Sequence, residues 1–267
     1  AVKEFLETHP YAKVCMSAFN KSIANNLATK ISDSRVICKT SHSIGLTAVR
    51  NYLKLNGGNL PLVINDKRDH FKLLYNLSEY SSVITEDVED QRVKFEFIAN
   101  CDKLLNLCRV NLIQHDEVER ITQLTEEHSI NTIADEVAVV RKFLKNVYNL
   151  NVEKNVKEAK GRAIKTHPRA YVIDYVDMLT FGALNAKWCP KFDLFVGDEC
   201  QDFNKAQHEL MKNLLTKDGK FVCVGDPHQA INGFAAKHPN LETNVMIVPN
   251  AAYIMQERLP KKVYKDI

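Results

Sequence analysis

An α/β fold built on a parallel sheet is predicted for this chain of 267 residues. One observation behind that prediction is a pair of short apolar runs, Phe192-Asp-Leu-Phe-Val-Gly197 and Phe221-Val-Cys-Val-Gly225, each broken off by acidic and amide residues. The other is a strand-like, helix-like alternation over residues 12–55. Short apolar runs bounded by turn residues read as buried strands of a parallel sheet. A βαβα rhythm implies parallel neighbours joined by right-handed crossovers. Ligands of such sheets lie beyond the carboxyl ends of the strands. Asp198, Glu199, Gln201, Asp202, Asp226 and Gln229 are therefore expected along one rim.

Taken in order, Val2 to Thr8 reads as a helix already under way, and Ala12 to Phe19 as a buried strand. Lys21 to Ile31 follows as a helix, Arg35 to Thr40 as a second strand and Ser43 to Leu55 as a second helix. Asn56-Gly-Gly-Asn-Leu-Pro61 is the clearest break in the chain. Beyond it the pattern turns helical. Ile133, Val137, Val140, Leu144 and Val147 step by four and three, which makes one apolar helix stripe. Leu73, Leu77, Phe97, Leu104, Leu105, Leu112, Ile121 and Leu124 support three or four further helices. Residues 66–160 therefore read as an inserted helical subdomain, between 1–65 and 161–267 as two parts of one parallel-sheet domain. Asp174 and Asp177 read as a helix cap and a solvent-facing or structural residue, in preference to a catalytic pair. Asn204 to Leu215 is the expected crossover helix between the two acidic-ended strands.

Composition narrows the class. A hydrophobic fraction of 45% with 26% charged residues is ordinary for a soluble globular protein. No apolar run approaches the roughly 20 residues needed to cross a bilayer, so no membrane partner is expected. The seven cysteines form no CxxC pair and mostly sit in apolar runs, as reduced core thiols of an intracellular protein do. The net charge of +3 is too small to argue for nucleic acid alone. Its distribution is uneven: residues 1–65 carry eight basic and three acidic side chains, and residues 66–160 fourteen basic and eighteen acidic.

The acidic and amide rim suits a metal-bound polyphosphate. The Asp198 carboxylate offers the oxygen donor that Mg²⁺ prefers. Glu199, next in line, is placed to orient or deprotonate an attacking water. The amides of Gln201 and Gln229 suit recognition of a terminal phosphate. A solvated acidic loop after a core strand is the competing reading; two such motifs in order, about twenty-five residues apart, argue against it.

Four stretches together resemble consecutive motifs of superfamily 1A helicases of the UvrD/Rep type: Ser17-Ala-Phe-Asn-Lys-Ser-Ile-Ala24, Val36-Ile-Cys-Lys-Thr-Ser-His-Ser43, Asp198-Glu-Cys-Gln-Asp202 and Val224-Gly-Asp-Pro-His-Gln-Ala-Ile231. The wording is closest to the F-box DNA helicase branch and its viral or phage relatives. The resemblance covers residues 1–65 and 161–235, and the helical insertion by position only. It implies the first RecA-like motor domain of a P-loop NTPase, with the Walker B motif and motif III in residues 161–267. By the same resemblance Asp198 coordinates Mg²⁺ and Glu199 is the base in ATP hydrolysis. Gln201, Asp202 and Asp226 border the nucleotide, Gln229 contacts the γ-phosphate, and Gln201 with Asp202 couples nucleotide to DNA. Phe19, Asn20, Thr40, His42 and Phe234 lie on the single-stranded DNA path. Core packing is the competing reading for Phe19 and Phe234, and a histidine satisfied within the fold for His42.

Several positions depart from the family pattern. No GxxxxGK[ST] occurs, and Gly161-Arg-Ala-Ile-Lys-Thr166 lacks the glycine spacing and is expected to follow no strand. The family's phosphate loop immediately precedes the helix with which this chain opens, so the chain is expected to start just after its own P-loop. The second motor domain, with its arginine fingers, has no counterpart in the sequence. Leu259-Pro260 runs directly into Lys261-Lys-Val263, where the family carries an arginine-bearing motif. Ser41 stands where the family has Phe, and Ala235 where it has an arginine that Lys237 alone could replace. The expectation is an ATP- and Mg²⁺-dependent 3′–5′ helicase on single-stranded DNA, partnered by a second motor domain of the same protein and by replication or repair proteins. It is expected inside the cell, in the cytoplasm of a bacterium or infected host or in the nucleus. Alone, this stretch is expected to hydrolyse ATP poorly or not at all. A non-enzymatic helicase-like module that binds nucleic acid or protein, and the motor part of a helicase–nuclease, are the alternatives.

Overall fold

The computed structural model describes residues 2–18, 20–65, 91–132, 135–160 and 163–223. They form α1 (Val2–Thr8), β1 (Val14–Ser17), α2 (Lys21–Ile31), β2 (Val36–Lys39), α3 (Ser41–Asn56) and β3 (Leu62–Ile64). Next come α4 (Gln91–Val110), α5 (Val118–Glu127), α6 (Glu136–Val147), β4 (Val152–Lys160) and β5 (Ala163–Ile173). The last elements are α7 (Tyr175–Leu184), β6 (Phe192–Gly197), α8 (Lys205–Asn213) and β7 (Leu215–Cys223). The chain divides into two compact units, Ala1–Asn56 with the described residues from Phe181 onward, and Gly57–Thr180.

The first unit is the predicted parallel sheet flanked by helices, in the order β2-β1-β6-β7. Apolar side chains decide the inner strands: Val14, Cys15 and Phe195 are fully buried. The Phe195 and Phe221 rings stack across β6 and β7 with centroids 5.2 Å apart. Leu6, Ala12, Val14 and Leu194 form a core cluster joined by Phe5, Met16, Val36, Val196 and Val222, so α1 covers one face of the sheet. Arg35 fastens that cover. Its Nη1 donates to the carbonyls of Leu6 and Pro10 while its Nη2 pairs with Asp33 at 2.6 Å.

Local chemistry starts the helices where the strands end. Asn20 accepts at its side-chain oxygen from the Ile23 N–H, an N-cap for α2. Asn204 and Gln207 form a reciprocal capping box on α8. β7 runs longer than its apolar core suggests. It pairs from Leu215, and a register shift accommodates Thr216 to Gly219 before Lys220 meets Leu194.

The second unit holds a sheet of order β3-β5-β4 and the helices α4, α5 and α6. Phe97, Leu104, Leu105, Ile121, Leu124, Val140 and Leu144 are buried in one cluster, with Val137 and Val147 packed against it. Ile133, Leu73 and Leu77 lie outside the described residues. Residues 152–160 depart from the helical expectation, because they form a strand paired antiparallel with β5, so a strand does precede Gly161 and the glycine spacing alone sets that segment apart from a phosphate loop. The Lys- and Glu-rich composition of this segment favours helix by intrinsic propensity, and the long-range ladder overrides it.

Asp174 and Asp177 are structural. Each backbone N–H donates to the other's carboxylate, a reciprocal cap at the start of α7. Both also receive the fully buried Arg109, at 2.7 Å each from Nη2. Burial opposes the charge on Arg109, and the hydrogen bonds and charges of Asp174 and Asp177 reverse that effect and hold it more firmly protonated than usual. Removing one partner of such a group leaves buried charge uncompensated. Arg109→Met is therefore expected to lower stability by about 3–5 kcal/mol, read from denaturant unfolding. The Asp33 carboxyl is held down to about 2, chiefly by its hydrogen bonds from Arg35. The stabilisation from this depressed carboxylate is fully present above the unfolded value near 3.8 and is lost as pH falls through about 2. A carboxyl NMR titration of Asp33 should show its midpoint there, and Arg35→Gln should move it upward.

Candidate nucleotide and nucleic-acid site

Two crossovers leave the middle of the first sheet in opposite directions. β1 leads through α2 to β2 on one side, and β6 leads through α8 to β7 on the other. The boundary between β1 and β6 is thus a topological switch point, where a crevice opens at the carboxyl ends. Asp198 and Glu199 follow β6 directly at this place. The Asp198 N–H donates to the Ser17 carbonyl at 3.1 Å, which extends the β1–β6 ladder into the acidic turn. The Glu199 N–H in turn donates to Asp198 Oδ1 at 3.2 Å.

The acidic turn has an unusual backbone. Glu199 adopts a left-handed conformation, with φ 54° and ψ 40°. A non-glycine residue there costs roughly 1–2 kcal/mol, and such strain concentrates at functional positions. Cys200 to Asp202 then make one 3₁₀ turn, closed by Asp202 N–H to the Glu199 carbonyl. Cys200 is buried beneath it. Gly197 is required by the same packing: a Cβ at that position would meet Cys200 Sγ at 2.7 Å. Asp198, Glu199 and Asp202 are half-buried, and Gln201 lies within the 3₁₀ turn.

The neighbouring strand ends complete the rim. The Ala18 N–H donates to the Lys39 carbonyl, which ties the ends of β1 and β2. The buried hydroxyls of Ser17 and Ser41 meet at 3.2 Å, so the acidic turn is linked through Ser17 to the first residue of α3. Thr40 Oγ1 accepts from the Ser43 N–H and caps that helix. Asn20 is exposed, and Thr40 and His42 are half-buried. The side-chain oxygens of Asn20 and Thr40 thus serve as caps, while an amide NH₂ and a hydroxyl proton remain as donors. The amino ends of α2, α3 and α8 all follow carboxyl ends of these parallel strands, so their N–H dipoles make this rim favourable to anions.

The structure brings together Asp198, Glu199, Gln201, Asp202, Asn20, Thr40 and His42 on that rim. Phe19, Asp226, Gln229 and Phe234 lie outside the described residues. Sequence reasoning missed the Ser17–Ser41 pair; the only signal was the serine at a position where the resembled motif carries Phe. Among the described residues no three His, Cys, Asp or Glu side chains converge as a metal cage. Magnesium does not need one. It binds through one or two carboxylates when phosphates and water complete its oxygen shell, so the Asp198 carboxylate fits that ion.

A parallel sheet with helices at its carboxyl edge, switching direction beside a strained acidic turn, defines the α/β class that takes ligands at a topological switch point. The UvrD/REP helicase N-terminal domain family matches residues 7–244, and the chain belongs to that family. It is 20% identical over 235 residues to the ATP-dependent DNA helicase Rep of Buchnera aphidicola, covering 84% of this chain and 30% of that protein. It is 28% identical over 189 residues to a probable DNA helicase II homolog of Mycoplasma pneumoniae, covering 65% of this chain and 22% of that protein. The chain spans less than a third of the length of these curated relatives. Among the described residues no helix is long and apolar enough to cross a membrane.

Gly197→Ala is expected to destabilise the first unit by about 1–3 kcal/mol through overpacking against Cys200. The double change Gly197→Ala/Cys200→Ala should recover part of that loss, as thermal unfolding of both variants would reveal.

Proposed function

We propose that the chain is the first motor domain of an ATP-dependent helicase that translocates on single-stranded DNA, with 3′–5′ movement. The observation that carries this reading is the position of Asp198 and the strained Glu199 at the β1–β6 switch point of a UvrD/REP-family domain. Membership in a DNA helicase family supports ATP as the nucleotide and DNA as the polymer. In the proposed cycle the Asp198 carboxylate holds magnesium, which when bound neutralises phosphate charge. Glu199 positions and deprotonates the attacking water, and Gln229 meets the γ-phosphate. Gln201, Asp202 and Asp226 border the nucleotide, and Gln201 with Asp202 relays its state to the DNA. Phe19, Asn20, Thr40, His42 and Phe234 contact the strand, where stacking on an aromatic ring contributes on the order of 1–3 kcal/mol per base without regard to sequence.

A phosphate loop and a second motor domain belong to the same proposal, as does an intracellular setting with replication or repair partners. Residues 1–65 and 161–267 are proposed as the motor and residues 66–160 as its insertion. The finer placement in the F-box branch and its viral or phage relatives rests on motif wording alone; the relatives described above are bacterial Rep and helicase II proteins.

Glu199→Gln in the full-length protein keeps size and hydrogen bonding while removing the base. DNA-stimulated ATP hydrolysis should fall about 10²–10⁴-fold in kcat, with nucleotide binding retained. ATPase that survives this change would refute the catalytic assignment. A wild-type protein that binds DNA without hydrolysing ATP would point instead to the non-enzymatic module.

A further inference from the structure

The face where α3 meets α7 and the 3₁₀ turn Ala186–Trp188 carries a surface that the motor assignment does not use. α3 begins where β2 ends, and α7 leads toward the start of β6, so both helices run toward the amino edge of the first sheet. Gly182 brings them close, since a Cβ there would meet Ala48 Cβ at 3.7 Å. Further along, the Tyr52 ring meets Phe181 and Trp188 edge-on, each at a centroid distance of 5.4 Å. The Asn51 amide donates to the Trp188 carbonyl at 2.9 Å and fixes the turn against α3. One helical turn beyond Tyr52 stands Leu55, 75% exposed, and one turn beyond Phe181 stands Leu184, 43% exposed.

Charge around this apolar floor has one sign. Residues 41–56 and 181–191 hold four Lys or Arg and no Asp or Glu. Arg50, Lys54 and Lys187 are exposed, and among the described residues no carboxylate pairs with them. Lys191, the fourth, donates to the Asn213 carbonyl instead. A lone exposed leucine means little, but exposed apolar side chains gathered over aromatic rings and rimmed by charge mark an interaction site. Three occupants can be told apart. Bases would need an open ring face to stack on, yet Lys187 Nζ covers Trp188 at 5.0 Å from the centroid and Tyr52 stands perpendicular to the same ring. A second copy of this face would set cations against cations. A segment with carboxylates and one or two bulky apolar side chains complements both features.

We propose that this face docks a short acidic peptide segment of a partner protein. An aliphatic or aromatic side chain of the peptide seats against Leu55, Leu184 and Trp188, and its carboxylates meet Arg50, Lys54 and Lys187. Apolar contact supplies the affinity, while the charged rim sets orientation and speeds encounter, so binding weakens as salt rises. The surface lies at the amino edge of the strands, away from the carboxyl-end rim that carries Asp198 and Glu199, so its use is independent of the motor reading.

The test uses full-length protein and the fluorescein-labelled peptide Glu-Asp-Glu-Leu-Asp-Phe-Glu-Glu-Leu, read by fluorescence anisotropy. Two relatives of the peptide are controls: one with Gln or Asn for every acid, the other with Ser for Leu and Phe. Wild type should bind the acidic peptide at least about tenfold tighter than either control at low salt, and about threefold or more weaker once salt is raised to roughly 0.3 M. Arg50→Glu/Lys54→Glu/Lys187→Glu should weaken the peptide at least about tenfold, and Leu55→Ser about threefold or more. Single-stranded DNA affinity and DNA-stimulated ATPase should stay within about twofold in both variants. Equal affinity for the acidic and amide peptides overturns the proposal, as does a triple variant that binds the peptide as wild type does. A loss of DNA affinity equal to the loss of peptide affinity assigns the surface to phosphates and overturns it too. So does a dimer in sedimentation velocity that Leu55→Ser abolishes, because the occupant is then a second copy. Should the triple variant not fold, Lys54→Gln reads the same contact, with a loss of about threefold expected and no loss overturning the proposal. A wild-type protein without ATPase that still binds the acidic peptide through these residues would sink the motor reading and leave this surface standing.

Discussion

The pairing of β1 with β6 is the constraint on which the first unit depends. These strands lie about 180 residues apart in sequence, and their register sets Ser17 against Gly197. One further backbone hydrogen bond, from Asp198 N–H to the Ser17 carbonyl, carries the ladder past the strand end and fixes where the acidic turn begins. The rest follows from that placement. Ser17 touches Ser41, Ser41 opens α3, and Thr40 caps it. A slip of one residue between β1 and β6 would turn the buried Phe195 to the opposite face of the sheet and carry Asp198 away from Ser17.

The parallel sheet was legible because a doubly covered strand needs an apolar run and cannot hide it. Phe192–Gly197 and the segment around Val14 announced themselves in this way. The acidic turn was equally plain, since carboxylates seldom follow a core strand without a reason. The strain at Glu199 was not legible, because glutamate has no special preference for the left-handed region. That conformation follows from what surrounds it: Cys200 fills the space beside Gly197, and the 3₁₀ turn must close onto the Glu199 carbonyl.

The β4–β5 ribbon marks the opposite limit. Its composition argues for helix, and only the partner strand makes it β. Asn155, between the paired Lys154 and Val156, adopts a left-handed conformation that nothing in the local composition signals. By contrast, Arg109 sat in a helical pattern that otherwise read as core. Its partners Asp174 and Asp177 were visible as a cap, and the pairing was hidden only by 65 residues of separation.

The two unusual backbone positions can be weighed against each other. Asn tolerates the left-handed region better than most residues, since its short polar side chain bonds locally, so Asn155 is a modest concession to ribbon geometry. Glutamate has no such tolerance, so the left-handed conformation at 199 is the costlier of the two. Strain of that kind gathers where a side chain is needed for something other than the turn itself, and the base proposed for Glu199, beside Asp198 at the switch point of the sheet, would supply such a need.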